Sequence, residues 1–532
     1  MGNSNSFVEF LANTQYYVDK TLLVDDILLT EDRVTVITRP PGFGKSVNLS
    51  MLESFFDITA DTKQAFSNFD ISYADTFELI NTMPVIKVDF KPCKDSATKE
   101  ELLDKFRISL LVAYKKYIDY ISANVVDMHK PSCIEMIKLY TRLESALATP
   151  DELSNSLTVL MKCVRDLFDK EIILLIDNYD IPLLECYSGR YMHELNAFFM
   201  LFFSFVLKDN LYLYRAIFTG VQCVGKSSVF LNIEGIGFYT VLISSYREYF
   251  GYSLRELNNL SRYYGFDIET VKGAYCDLEV QDRYLYNPKD VAKYITSGIE
   301  KYELNEDIIS LFVAALNDAK YNFISEFYKF IEGNEITTYI NVEPLYTKDM
   351  DSASLWGLLI NYGYVSAVKL EHDYYSLYIS NIAARYKLVL IFAEYIKLNG
   401  KETFNAIKFI EIGDMTKFVK WSVYAVRKCM DYYYVHENAI KTIHLLLCLM
   451  LNHLFTITYD SYEDCFLLVP KDEYRFSVLI GLKSGSGLQA TKKRVLNSLK
   501  KKRGRNLVGE IFCIGIAYNK LKCDAEVEKI II

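Results

Sequence analysis

The chain has 532 residues and a formal net charge of -9, and 51% of its residues are hydrophobic while 24% are charged. This length exceeds what one hydrophobic core fills, so we expect two to four domains, and the composition excludes extended disorder. The acidic balance argues against a protein that coats nucleic acid, although it leaves room for a local basic patch.

Cysteine usage and apolar segments bear on the cellular compartment. The 11 cysteines form no C-x-x-C pair and no zinc-like cluster with histidine, which predicts reduced and mostly buried thiols. No secretory signal pattern is present, and the most apolar stretches, 198–207 and 444–455, are too short to cross a bilayer. We expect a cytoplasmic protein without a membrane partner, with the nucleus as an alternative. The bare myristoylation match at Gly2 and Ser6 is interpreted as chance.

The N-terminal half predicts an α/β domain. The β-branched run Val34–Thr38 predicts a buried strand, the loop RPPGFGKS follows it, and apolar residues at helical spacing come next. Further strands are predicted at 84–90, 171–176 and 211–218, with helices between 96 and 168 and at 196–207. Strands that alternate with helices indicate a mostly parallel sheet with helices on both faces.

The rest of the chain has a different pattern. After residue 235 come short helices and Tyr-rich hairpin-like pieces such as 362–380, which would suit a helical, winged-helix-like region. Helices after 400 lead to strands at 465–469 and 476–482, a basic helix at 492–502 and a strand at 509–517. We therefore expect three domains, 1–235, 236–400 and 401–532, of which the last is a small α/β unit.

Two segments compete for the role of a phosphate-binding P-loop. The strict pattern G-x-x-x-x-G-K-[ST] occurs at 220–227, whereas 39–46 has Arg in place of the first Gly. A P-loop needs a strand before it and a helix after it, because the helix N-terminus offers free N–H groups to phosphate. A helical pattern follows 39–46, but two glycines and no helical period follow 220–227. We therefore place the site at 39–46 and interpret 220–227 as a turn.

The chemistry of ATP and Mg²⁺ binding assigns roles at this site. Lys45 would neutralise phosphate oxygens, and the Ser46 hydroxyl would ligate Mg²⁺. Asp177, which ends an apolar strand, would hold Mg²⁺ through water, and Thr219 would read the γ-phosphate from the neighbouring strand. The full set of candidate cofactor-binding residues is Arg39, Pro40, Pro41, Gly42, Phe43, Gly44, Lys45 and Ser46.

Asn178 directly follows Asp177, where many hydrolysing P-loop ATPases of this strand order have Glu. An amide can orient a water molecule but cannot accept its proton at neutral pH. Asp180 would point elsewhere unless the loop is bent. The sequence therefore predicts nucleotide binding with slow or absent hydrolysis, and a slow ATPase that uses Asp180 is the alternative.

With these residues in place, the chain resembles the AAA-ATPase-like family, predicted ATPases whose N-terminal domain precedes a PD-(D/E)XK nuclease-like domain. The resemblance covers nearly the whole chain and implies ATP and Mg²⁺ as cofactors. The family also has Arg-Pro in its loop and usually has Glu at position 178. The segment FTGV (218–221) resembles the family's strand with the polar sensor residue, which implies that Lys226 is incidental. The matching segments are YYVDKT (16–21), TRPPGFGKSVNLSML (38–52), LLIDNYDIPL (174–183), FTGV (218–221), YNP (286–288) and YGYV (362–365).

The same resemblance implies a restriction-endonuclease-like site in the last domain, whose chemistry needs carboxylates and a Lys around a divalent metal. Glu437, Asp464 and Lys483 match the family's positions, but Gly481 stands where the central Glu is expected. Without that carboxylate most of the metal affinity should be lost. We expect a degenerate nuclease site, and an ATP-dependent nuclease is the alternative.

Both sites thus depart from the family at the residue that handles the proton or the metal. We interpret the chain as a pseudoenzyme that acts as a nucleotide-controlled binding module, or as a diverging copy under weak constraint. Basic residues between 492 and 505 would contact nucleic acid, and a solvated amphipathic helix is the equal alternative. The sequence does not indicate a protein partner.

Overall fold

The computed structural model describes most of the chain and divides it into two compact units. The described residues are 6–124, 129–188, 191–224, 226, 229–280, 283–297, 306–319, 321–343, 350–372, 374–430, 436–452, 454–460, 464–472, 475–502, 509–519 and 522–531. The first unit comprises 1–298, 339–363 and 367–373, and the second comprises 299–338, 364–366 and 374–532. The middle region, 236–400, is thus shared between them, and the three-domain division stays a prediction.

Helices and strands alternate through the N-terminal part of the first unit. In chain order they are α1 (Phe7–Asn13), α2 (Leu23–Leu29), β1 (Val34–Thr38), α3 (Lys45–Phe56), α4 (Lys63–Phe66), β2 (Val85–Asp89), α5 (Lys99–Ala123), α6 (Pro131–Glu144), α7 (Pro150–Phe168), β3 (Ile172–Asp177), α8 (Ile181–Ser188), α9 (Met192–Leu207), β4 (Leu213–Gly220) and β5 (Ile236–Tyr239). Each predicted strand and helix of this part is present within a few residues of its predicted bounds.

These five strands form one all-parallel sheet in the order β2-β3-β4-β1-β5. One face packs against α1, α2 and α3, and the other packs against α5, α6, α7 and α9. The prediction of a parallel sheet with helices on both faces is therefore confirmed. Because the strands run the same way, β1, β3 and β4 all end at one edge, and β4 separates the other two.

The chain continues through short elements. They are β6 (Tyr252–Ser253), α10 (Leu254–Tyr264), α11 (Ile268–Tyr275), β7 (Cys276–Val280), β8 (Arg283–Tyr286), α12 (Pro288–Ser297), α13 (Glu306–Asp318), α14 (Tyr321–Ile331), β9 (Ile336–Tyr339), α15 (Ser352–Asn361), β10 (Ser366–Lys369) and β11 (Tyr374–Tyr378). Strands β6, β8 and β7 form a small antiparallel sheet in the first unit. The two strands of the predicted hairpin-like piece are β10 and β11, whereas the winged-helix arrangement stays a prediction.

The C-terminal part belongs to the second unit. Its elements are α16 (Ile382–Tyr395), α17 (Gly400–Glu411), α18 (Met415–Met430), α19 (His436–Met450), β12 (Phe455–Asp460), β13 (Cys465–Pro470), β14 (Ser477–Ser484), α20 (Leu488–Lys502), β15 (Glu510–Tyr518) and β16 (Cys523–Ile531). The strands form a mixed sheet in chain order, in which β14 and β15 are parallel and α20 connects them. Strands β12 and β16 were not predicted from the sequence.

Helix α20 lies unusually close to this sheet. Its apolar residues Val495, Leu496 and Leu499 pack against the strands, as predicted for an amphipathic helix. A Cβ atom added at Gly481 would lie 2.5 Å from Val495 Cγ1, and one added at Gly515 would lie 2.8 Å from Leu496 Cγ. Real side chains do not approach so closely, so this packing depends on glycine at both positions.

Two further features of the described residues are the burial of the cysteines and the length of the helices. The ten cysteines whose side chains the structure describes are all buried and free of disulfide bonds, as predicted. Within the described ranges, every helix is too short or too polar to span a bilayer.

Candidate nucleotide-binding site

The segment 39–44 joins the end of β1 to the start of α3, so the predicted order of strand, loop and helix is confirmed. Gly42 has a φ of 89° and Gly44, which caps α3, has a φ of 83°, a left-handed conformation that favours glycine. Phe43 between them is buried in the core. The backbone N–H groups of the loop are therefore available to bind phosphate. The Phe43 side chain anchors the loop to the core.

The Lys45 ammonium group is buried and bound to its own loop. Its Nζ donates hydrogen bonds to the backbone oxygens of Arg39, at 2.9 Å, and Pro40, at 3.0 Å. Burial lowers the pKa of Lys45 to about 8, against the opposing pull of Asp177 and Asp180. A buried cation that holds only carbonyl groups is poorly compensated, and an anion at this point would stabilise it.

Three predicted site residues meet at one edge of the sheet. Ser46 Oγ donates a hydrogen bond to Asp177 Oδ2 at 2.5 Å, and Thr219 Oγ1 donates to Asp177 Oδ1 at 2.7 Å. Asp177 and Thr219 are register partners at the ends of β3 and β4, as the sequence predicted. A hydroxyl and a carboxylate are the hard oxygen ligands that Mg²⁺ prefers, together with phosphate oxygens and water. The donor set therefore fits a magnesium–nucleotide complex.

Asn178 is turned toward a residue that the sequence analysis missed. Its φ is 55°, and its Nδ2 donates a hydrogen bond to Asp89 Oδ1 at 2.8 Å. Asp89 ends β2 and is the register partner of Asp177. The sequence does contain a signal for this residue: Asp89 is the carboxylate near the end of the predicted strand PVIKVDF, and a parallel sheet places the ends of its strands at the same edge as Asp177.

Asp180 is engaged elsewhere. The chain does bend at Asn178, but Asp180 is buried and its Oδ2 accepts hydrogen bonds from the backbone N–H groups of Val221 and Gln222, each at 2.8 Å. Burial raises the pKa of Asp180, and the two N–H groups and Lys45 oppose that shift. Its carboxylate thus fixes the turn after β4, and its role as a base stays a prediction.

Arg39, at the first position of the loop, is fully buried, and its side chain ties the loop to neighbouring backbone. Its guanidinium donates to the carbonyl oxygens of Thr38, Tyr239, Thr240 and Ser245 at 2.8 to 3.0 Å. Burial lowers its pKa to about 9, and Arg247 adds to the shift. The side chain therefore has a structural task that a glycine could not perform.

Residues of the YNP and YGYV segments also contact the loop. Asn287 Nδ2 donates a hydrogen bond to the Pro41 oxygen at 3.0 Å, and a Cβ added at Gly42 would lie 2.5 Å from Asn287 Oδ1. Gly363 has a φ of 77°, and a Cβ there would lie 3.2 Å from the Pro40 ring. The sequence analysis noted these segments only as family markers, because no local pattern indicates a partner so far away along the chain.

The rival segment, 220–227, is only partly within the described residues. Gly220 is the last residue of β4, and the described residues between 221 and 235 contain no helix. Lys226 forms an ion pair with Glu343 at 2.8 Å, and its Nζ lies 5.5 Å from the centre of the Phe238 ring. The described residues of this segment follow a core strand without entering a helix, and its interpretation as a turn stays a prediction.

Two of the candidate nuclease residues, Asp464 and Lys483, have side chains that the structure describes. Asp464 Oδ1 forms an ion pair with Lys441 at 2.9 Å, and Lys483 is exposed on β14. Glu437 lies in α19, but its side chain is outside the described residues. Among the residues that the structure does describe, no group of three or more His, Cys, Asp or Glu is placed to hold a metal ion.

Part of the charge of the basic helix α20 is neutralised within its own unit. Lys492 Nζ lies 2.7 Å from Asp524 and 3.1 Å from Glu526, and Lys500 is paired with Glu528. Basic side chains on the outer side, at Lys493, Arg494 and Lys501, are exposed, whereas Arg503 and Arg505 lie outside the described residues. A nucleic-acid contact through this helix stays a prediction.

Comparison with curated proteins and with solved structures finds no match. Residues 3–230 match the AAA-ATPase-like family model, described as predicted AAA-ATPase. The match contains the loop 39–46 and the residues Asp177 and Thr219, and it ends before β5. Over residues 3–230, the chain is therefore similar to predicted AAA-ATPases, and the rest of the chain lies outside this match.

Proposed function

We propose that the chain is a nucleotide-controlled binding protein whose first unit binds Mg·ATP and hydrolyses it slowly or not at all. The observation that carries this proposal is that Ser46 and Thr219 both donate hydrogen bonds to Asp177. Lys45 lies next to Ser46, at the end of a loop with two left-handed glycines. Each of these groups has a task in phosphate or metal binding, and the family match supports the same assignment.

The Mg²⁺ ion would be held by Ser46 directly and by Asp177 through water, as the hydrogen bond between the two side chains suggests. The ion would neutralise part of the phosphate charge when bound. Lys45 would exchange the carbonyl oxygens of Arg39 and Pro40 for phosphate oxygens, which compensate its charge better.

Slow hydrolysis is supported by the neighbours of Asp177. Asn178 carries no carboxylate, and the buried Asp180 carboxylate accepts hydrogen bonds from the backbone N–H groups of Val221 and Gln222. General acid–base catalysis is commonly worth a factor of about 10²–10⁴ in rate, so the lack of a carboxylate directly after Asp177 favours slow hydrolysis.

Control of binding by nucleotide is supported by the contacts of the loop. Asn287 lies at the start of α12 and Gly363 follows α15, and both contact residues 40–42. A change in the conformation of the loop on nucleotide binding would therefore shift these two segments. We include in the proposal that the nuclease-like domain is inactive, because Val495 fills the space beside Gly481 where a carboxylate is needed.

Isothermal titration of the full chain with Mg·ATP tests the nucleotide site. Wild type should bind, Lys45→Ala should lose at least about tenfold in affinity because a charge-assisted contact worth 1.5–3 kcal/mol disappears, and Lys226→Ala should bind like wild type. Absence of binding by wild type, or equal binding by the Lys45 variant, would refute the site. Loss of binding only in the Lys226 variant would move it to residues 220–227.

A further inference from the structure

A carboxylate stands beside Asn178 although none follows Asp177 in the sequence. Asp89 is the last residue of β2, directly across the sheet from Asp177, and the Phe90 N–H donates to the Asp177 carbonyl oxygen at 3.1 Å. The parallel ladder therefore brings Asp89 to the edge where Ser46 and Thr219 meet Asp177.

The Asp89 carboxylate is held in a fixed orientation. Its Oδ1 accepts hydrogen bonds from Asn178 Nδ2 and from the Lys91 N–H, both at 2.8 Å. Its Oδ2 makes no hydrogen bond to any of the described residues, and the side chain is exposed. Asp180 differs in its burial, since its Oδ2 accepts hydrogen bonds from two N–H groups and its Oδ1, which has no hydrogen-bond partner among the described residues, is shielded from solvent.

Exposure and orientation together decide which acid can serve a water molecule. A general base must reach the water within hydrogen-bond distance and must have an oxygen available for it. Asp89 meets the second condition, and Asn178, which is bonded to it, can use its amide oxygen to orient the same water. The pair thus divides between two strands the orienting and accepting tasks that one Glu would combine.

We propose that Asp89 is the base for the slow ATP hydrolysis of this site, with Asn178 as its positioning residue. The water oxygen bonds to the γ-phosphorus, the bond from that phosphorus to the β,γ-bridging oxygen breaks, and ADP leaves with the electron pair. The water proton passes to Asp89 Oδ2 and then to the released phosphate. This proposal rests on the proposed nucleotide site.

Two measurements on the full chain test the proposal. Phosphate release with Mg·ATP reports turnover, and calorimetry reports the affinity for ADP alone and for ADP with aluminium fluoride, which imitates the transferring phosphoryl group and its attacking water. The variants are Asp89→Asn, Asp89→Glu as the conservative change, and Asp104→Asn as a control at an exposed carboxylate on α5.

Asp89→Asn should lower phosphate release at least about tenfold, in keeping with the usual contribution of a general base. The variant should weaken the binding of ADP with aluminium fluoride by a similar factor and leave ADP binding unchanged. Asp89→Glu should retain part of both effects, and Asp104→Asn should match wild type.

Other outcomes separate the two proposals. If wild type binds Mg·ATP but releases no phosphate, or if Asp89→Asn behaves like wild type, the role of Asp89 is refuted while the nucleotide site stands. If Asp89→Asn loses ADP affinity as well, the residue supports the binding site and is not a base. If wild type does not bind Mg·ATP, both proposals fail.

Discussion

Gly481 and Gly515 lie directly opposite each other on the parallel strands β14 and β15, and both face α20. The residue that removes the expected nuclease carboxylate is therefore also one of two that let the helix approach the sheet. Gly481 is in this sense more than a missing ligand, because the volume that a Glu side chain would need is occupied by Val495.

Gly481→Ala should destabilise the second unit by about 1–3 kcal/mol, because the added methyl group overpacks the helix–sheet contact. Gly487→Ala is the matched control, since its Cβ would have its nearest neighbour, Ala490 Cβ, at an ordinary 3.9 Å. Thermal unfolding of both variants measures the difference. Gly481→Glu should likewise lose stability and should not gain Mn²⁺ binding or DNA cutting. A stable, metal-binding Gly481→Glu variant would show that the nuclease site is only one residue from repair.

Asn287→Ala should weaken Mg·ATP binding by about two- to tenfold, because the Pro41 oxygen loses a donor and the loop loses a support worth about 0.5–1.5 kcal/mol. Titration calorimetry measures the effect. Asn258→Ala, at an exposed amide on α10, provides the control and should bind like wild type. Unchanged affinity in the Asn287 variant would separate the YNP segment from the nucleotide site.

Nucleotide binding should take up protons at alkaline pH. Burial lowers the pKa of Lys45 to about 8, so much of this amine is neutral at pH 8.5 in the empty site. A bound phosphate raises that pKa again, and the amine takes up a proton from solution. Calorimetry at pH 8.5 in buffers of different ionisation enthalpy should give a net uptake of less than one proton, and the uptake should shrink at pH 7. Proton release at pH 8.5 would contradict the assignment of Lys45 to the phosphate.

Stability of the second unit should fall as the pH drops from about 6.5 to about 4. His444 is buried near Phe418 and Trp421, and burial lowers its pKa to about 4. In the unfolded chain the His444 imidazole takes up a proton near pH 6.5, whereas in the folded chain it does not. Protonation therefore lowers the free energy of unfolding by up to about 3 kcal/mol. Denaturant midpoints measured across this range should flatten in His444→Gln. The exposed His193→Gln control should keep the wild-type slope, and an equal slope in both variants would contradict the prediction.

Four of the five strands of the parallel sheet could be predicted from the sequence, most clearly β1 and β3, which are buried along their whole length, whereas the half-buried β5 was not predicted. The choice of 39–46 over the strict motif at 220–227 depended on the elements around each loop, and the structure has the expected strand before 39–46 and the expected helix after it. Local patterns carry such information well, since strand, turn and helix are set mainly by neighbours in the chain.

Pairings across the chain could not be predicted in the same way. Asp89 is a strand-end carboxylate like many others until β2 is placed beside β3. The contacts of Asn287 and Gly363 with the loop join residues more than 240 positions apart. The polar edge strands β12 and β16 were missed because only one of their faces is buried, which weakens the apolar signal.

Arg39 has a consequence for how this loop can evolve. Four hydrogen bonds tie its side chain to the backbone at 38 and 239–245, so a return to glycine would restore the written motif and leave those carbonyl groups without their donor. The departure from the consensus is thereby entrenched by its surroundings. Reversion requires compensating changes two hundred residues away, whereas Lys226 of the formally perfect motif at 220–227 is held, among the described residues, by a surface ion pair with Glu343 and a contact with the Phe238 ring.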